Sequence, residues 1–211
     1  MFGLTIEPAA LIAVGIMLLV GFPVHEFAHA LAASRLGDHT ARLFGRLTLN
    51  PIVHFDPLGG SLLVLSALSG GLFFGWAKPT PVNPINLSGG RRGEALVALA
   101  GPASNLVMAI AAAIPLRYIV ASNMAVPDLA VQVLAFFVSI NLMLALFNLI
   151  PIPPLDGYKV MLGLIDRQTA WRIRPTLEQY GLLFLLIFVF TVGGRLISSI
   201  SSAIFRFLVG V

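Results

Sequence analysis

The chain contains no cysteine. That excludes disulfides and thiolate ligands together, so any metal it binds must be held by imidazole and carboxylate. Charge is scarce too: 10% of its 211 residues are Asp, Glu, Lys or Arg, against about 25% in a soluble domain. No Lys/Arg run exceeds the pair Arg91-Arg92. The formal charge of +4 therefore forms no basic tract for nucleic acid and reads as the basic loops of a membrane protein. The opening residues MFGLTIE carry no Lys or Arg, so the basic n-region of a cleaved leader is missing and the first apolar helix is expected to stay. Internal repeats and low-complexity stretches are missing as well.

What is abundant is apolar. A hydrophobic share of 58% and a mean hydropathy of +0.95 predict a multi-pass integral membrane protein whose first partner is the lipid bilayer. Apolar runs fall at about 8–34, 58–76, 95–116, 129–150 and 182–192. Between Glu7 and Arg35 the only ionisable side chains are His25, Glu26 and His29. A carboxylate at bilayer depth costs roughly 2.5–3.5 kcal/mol on insertion scales, so it needs a partner and a purpose.

His25 and His29 are spaced i and i+4, which on a helix puts both rings on one face, with Glu26 about 100° round beside them. This is H-E-x-x-H, in which two imidazoles hold zinc and the glutamate takes a proton from the attacking water and delivers it to the leaving amine. The plain alternative is a pair of core histidines hydrogen-bonded inside a bundle. Pro23, two residues upstream, lacks an N–H, so the helix is expected to loosen just before the motif.

A catalytic zinc needs a third protein ligand and an open position. Ala32 and Arg35 stand where the metzincin continuation requires Gly and His. Candidates are Asp38, His39, His54, Asp56, Glu94, Asp128, Asp156 and Asp166, most of them near basic loop residues, where a solvated charge is the simpler reading. Asp156 differs, because Pro151, Pro153 and Pro154 stop the preceding helix and Gly157 permits a sharp turn. An ordinary Asp-Gly turn is its alternative.

HEFAH, together with GPASN at 101–105 and NLIPIPPLDG at 148–157, resembles the site-2 protease family, zinc metalloproteases that cut within the membrane. The likeness runs from about 8 to 157 and is closest to small bacterial and archaeal members. It implies His25, His29 and Asp156 as ligands of one Zn²⁺ per chain, Glu26 as the catalytic acid/base, and Asn148 and Asn105 as residues that hold substrate or neighbouring backbone. It also implies a transmembrane protein substrate and regulated intramembrane proteolysis; at 211 residues no room is expected for the PDZ or nucleotide-binding regulatory domains that many relatives carry.

Topology constrains the same site. If all five apolar runs spanned, Asp156 would emerge on the side opposite His25 and His29, and the site could not close. If 58–76 instead dips in and returns, parity is repaired and only Arg117, Arg195 and Arg206 of the basic residues lie outside. The zinc is then expected near the cytoplasmic face of the cell membrane. ARLFGRLTLNP and FGWAKPTPVNP read as two strands closed by Asn-Pro, forming a small sheet whose free edge receives an extended peptide; a plain connecting loop is the alternative. His54 and Asp56 fit a turn or a supporting role, and Asn141 fits an interhelical hydrogen bond.

The expectation is thus an all-α membrane protein of about four core transmembrane helices, with a re-entrant segment, a small membrane-associated β-sheet and zinc near the cytoplasmic side. It forms a single domain over 1–211: core 8–157, interfacial segment 158–180, C-terminal membrane segment 181–211. The rival function is a ZIP-like metal transporter, which should carry further His or Asp ligands inside a second span, whereas His39 and His54 fall in loops. A non-catalytic zinc scaffold would not need Glu26.

Overall fold

In the computed structural model, residues 8–68, 75–122 and 124–211 are described; the reading of MFGLTIE lies outside them. Four helical stretches are long and apolar enough to cross a membrane: Pro8–Arg35, Arg91–Ser122, Asp128–Asn148 and Arg167–Val209. The chain is a multi-pass membrane protein, and large apolar side chains such as Leu19, Val107 and Phe190 are exposed along these helices, as lipid contact demands.

The first stretch is α1 (Pro8–Ile16), a π-helical turn (Met17–Gly21) and α2 (Phe22–Arg35). The wide turn ends two residues before Pro23, where the missing N–H and the ring deny the α ladder a partner, and it accounts for the loosening expected there. Short helices α3 (Thr40–Leu43) and α4 (Pro51–His54) follow, then α5 (Pro57–Leu68). The twelve described residues of α5 reach about 18 Å. Its flanks meet: Lys78 N donates to the His54 carbonyl at 2.9 Å, and Gly59 comes so close to the Trp76 carbonyl that a Cβ there would lie 2.1 Å from it. Residues 69–74 of the segment lie outside the description.

The central element is α6 (Arg91–Ser122), which packs along α2, α7 (Asp128–Asn148) and α8 (Asp156–Leu164). Helices α9 (Arg167–Phe188) and α10 (Gly194–Val209) are joined by a second π-helical turn, Val189–Gly193. Arg117 on α6 donates to the carbonyls of Phe207 and Leu208, closing the exposed end of α10. Cores form where α1, α5 and α7 meet around Ala13, Met17, Leu63 and Ile140. A second lies where α6, α7 and α10 meet around Ala109, Leu116, Leu142 and Val209.

The expected β-sheet is not there. Among the described residues there is no strand: the first stretch runs from α3 to the start of α4, and the second passes through 75–83 with neither helix nor strand before a 3₁₀ turn at Pro84–Asn86. Two causes are visible. Asn50 and Asn83 act as helix caps, their side chains accepting from Ile52 N at 3.1 Å and Ile85 N at 3.2 Å. In the second stretch Pro79 and Pro81 have no N–H, and the donors that remain on Lys78, Thr80 and Asn83 are taken by His54, Glu26 and Asp38.

Candidate metal centre

Three elements deliver the site. Helix α2 presents His25 and His29 on one face. The chain between α7 and α8 brings Asp156 to them as the first residue of α8, and Gly157 makes this possible because a Cβ there would lie 2.2 Å from the Leu149 carbonyl. His25 Nε2 and His29 Nε2 lie 3.1 Å apart, and Asp156 Oδ2 is 3.4 Å from the first and 3.3 Å from the second. Donors held at zinc distance and tetrahedral angles are about 3.3 Å from one another. The observed set therefore fits a single zinc ion and leaves a position open.

The third element, α6, supplies the surroundings. Gly101 faces the imidazoles so closely that a Cβ would sit 2.3 Å from His29 Nε2 and 2.6 Å from His25 Cε1. One turn further on, Asn105 Oδ1 lies 2.5 Å from His25 Nδ1. The Asn105 amide is oriented by donation from its Nδ2 to Asn141 Oδ1 at 2.9 Å, and Asn141 donates in turn to the Phe137 carbonyl at 2.9 Å. His29 Nδ1 donates to the Val97 carbonyl at 2.7 Å. Both rings thus carry the proton on Nδ1 and turn the Nε2 lone pair toward Asp156, the arrangement that ligating histidines need.

Glu26 is 8% exposed, and its Oε2 accepts the Thr80 N–H at 2.7 Å. Asn148 donates to the Leu144 carbonyl of its own helix at 3.0 Å. Asn105, 0% exposed, is bound to His25 rather than facing outward. Asp56 accepts from Leu58 N and Gly59 N and caps α5. His54 is buried with its Nε2 2.8 Å from the Thr48 carbonyl. Among the described residues, His25, His29 and Asp156 form the one group of three or more potential ligands.

Three contributors escaped the sequence reading, whereas Asn141 makes the interhelical hydrogen bond expected of it, to Asn105 on α6. Gly101 had a signal in GPASN. Thr80 had only its flanking prolines. Asp38, read as a solvated loop charge, is fully buried and accepts from Thr40 N, Thr40 Oγ1, Asn83 N and Asn86 Nδ2 at 2.5–3.2 Å. Burial pushes its carboxyl up, but the hydrogen bonds from Thr40, Asn83 and Asn86 outweigh it and hold the group below the usual aspartate range.

Two imidazoles and a carboxylate converging beside a buried glutamate, on apolar helices, define a zinc hydrolase set in a membrane protein. Comparison with known proteins narrows the class. The model of peptidase family M50 matches residues 117–192. YwhC of Bacillus subtilis, named a zinc metalloprotease, is 40% identical over 183 residues, spanning 84% of this chain and 80% of that one. Rip2 of Mycolicibacterium smegmatis, also so named, is 32% identical over 198 residues, covering 89% and 71%. Rip2 of Mycobacterium tuberculosis H37Rv is 35% identical over 190 residues, covering 88% and 71%. No solved structure matches the chain. The chain belongs to peptidase family M50, the site-2 proteases, and is a zinc metalloprotease.

Proposed function

We propose that this protease is an intramembrane endopeptidase, cutting single peptide bonds within transmembrane segments of other membrane proteins as a step of regulated intramembrane proteolysis. One observation carries the reading: the H-E-x-x-H pair lies within the first apolar helical stretch and meets Asp156 there. We read the whole chain, 1–211, as one catalytic domain with its site core in 8–157, an interfacial segment over 158–180 and a C-terminal membrane segment over 181–211.

His25, His29 and Asp156 hold the zinc, which when bound supplies a Lewis acid that polarises the scissile carbonyl and brings the pKa of water to about 7. Glu26 takes the proton of the attacking water and returns it to the leaving amine. Asn105 fixes the His25 ring through Nδ1, with Asn141 behind it. Asn148, at the end of α7, holds unwound substrate backbone. A peptide bond in a membrane helix is shielded by its own hydrogen bonds, so the substrate must open locally before attack. We read the site on the cytoplasmic side, a reading supported by the meeting of Lys78 N with the His54 carbonyl across α5 and by the basic residues of the loops on either side of it.

The discriminating experiment reconstitutes the protein in vesicles with a panel of single-span proteins and follows both cleavage and zinc flux. Cleavage inside an apolar segment without flux is expected. Zinc carried across the bilayer with no peptide cut would support the transporter instead, and cutting confined to soluble peptides would remove the intramembrane substrate.

A further inference from the structure

Residues 75–83 pass α2 as a strap without helix or strand, tied down at two points: Lys78 N donates to the His54 carbonyl at 2.9 Å, and Asn83 N to Asp38 Oδ2 at 2.7 Å. Between these ties stands Pro79-Thr80-Pro81. Neither proline has an N–H, so the tripeptide offers a single main-chain donor, and both prolines restrict the backbone that aims it. That donor reaches Glu26 Oε2 at 2.7 Å, while the Thr80 hydroxyl donates to the Glu26 carbonyl at 3.1 Å.

We propose that Thr80, through its main-chain N–H, is the positioning residue of Glu26. A glutamate has three rotatable side-chain bonds and, left free, spreads its carboxylate over several positions. Holding Oε2 on a rigid amide removes that freedom and leaves Oε1 to exchange the proton with water beside His25, His29 and Asp156. The hydrogen bond joins a buried carboxylate to a neutral donor, the stronger kind of protein hydrogen bond. Among the described residues no other hydrogen bond to this carboxylate is present. The geometry also explains why two prolines flank the donor. They remove the competing N–H groups that would draw the strap into a ladder, and they keep this one in place. The inference rests on the reading of Glu26 as the proton carrier.

The test measures kcat and KM on a single-span reporter that the wild-type protein cleaves in phosphatidylcholine vesicles, with zinc content determined on the same samples. Thr80→Pro removes the N–H but strains the backbone. A second variant therefore replaces the Thr80 amide by an ester, through a hydroxy acid analogue of threonine, and Thr80→Val keeps the amide and drops the hydroxyl. In the ester variant, loss of a hydrogen bond to a charged group should lower kcat by roughly ten- to a hundredfold. KM and zinc should hold, and Thr80→Val, which keeps the N–H, should fall far less in kcat than the ester. Wild-type kcat in the ester variant, a change in KM alone, or zinc lost together with kcat would reduce the strap to a brace and overturn the proposal. Glu26→Gln runs in parallel: if it still cuts, the proton-carrier reading fails and takes the positioning role with it, an outcome distinct from an inactive Glu26→Gln beside a fully active ester.

Discussion

Asn105 Oδ1 and His25 Nδ1 lie 2.5 Å apart across 80 residues of sequence, linking α6 to the first of the three proposed metal ligands. Because Asn105 Nδ2 is committed to Asn141, the amide has one orientation, and the imidazole has one tautomer. Partners of this kind are worth about 10–100-fold in metal affinity. Asn105→Ala should therefore weaken zinc by about that factor, while Asn105→Asp, which keeps the accepting oxygen, should lose less. Competition against a chelator of known affinity measures both.

Gly101 gives the sharper steric case. With a Cβ 2.3 Å from His29 Nε2, Gly101→Ala must push the imidazole aside or shift α6. Zinc per purified chain should fall well below one equivalent at a metal concentration that saturates the wild type. Full zinc content in Gly101→Ala would mean that the ion sits elsewhere. Serine at the same position should behave like alanine, since the obstacle is the Cβ.

Asp38 predicts how stability varies with acid. Its carboxyl titrates lower in the fold than in the unfolded chain, where the ordinary value is about 3.9. The stabilisation is complete above that value and is lost as pH falls through the lowered native pKa. Asp38→Asn turns one of the two accepting oxygens into a donor, which then faces Asn83 N in place of Oδ2, or Thr40 and Asn86 in place of Oδ1. It should cost about 1–3 kcal/mol at neutral pH and flatten the acid-side fall in Tm. Thermal unfolding in detergent at pH 7 and in steps from about pH 4 down to about pH 2 compares the two proteins.

Much of the site was legible beforehand for a simple reason. His25, Glu26 and His29 are polar residues in an apolar run at a spacing that only a helix makes useful, and Asp156 is framed by prolines and a glycine. These are local facts. Asp38 misled because its donors come from residues 45 and 48 positions downstream, so composition around it showed a loop charge and nothing of the pocket. The two expected strands failed similarly. Their residues suit extended chain, but pairing depends on where the N–H groups find acceptors, and in 75–83 those of Lys78, Thr80 and Asn83 find His54, Glu26 and Asp38. The spans were readable from hydropathy alone, whereas the meeting of His54 with Lys78 had only parity and charge to announce it.

The proposed sidedness can be tested directly. Cysteines placed at Arg42, Lys78 and Lys159, in a chain that has none of its own, should resist thiol reagents confined to the outside and react once the membrane is permeabilised. Strong labelling from outside at position 78 alone would mean that 58–76 spans, and the cytoplasmic placement of the site would fall.

The central claim is that zinc on His25, His29 and Asp156 works through Glu26. It is tested most directly by measuring zinc content and cleavage of one single-span substrate in the same preparations of wild type and Glu26→Gln. The substitution keeps size and both imidazoles, so one equivalent of zinc should remain. Cleavage should drop by at least the roughly 10²–10⁴-fold that general acid–base catalysis supplies. A Glu26→Gln protein that holds its zinc and still cuts at the wild-type rate would contradict the account.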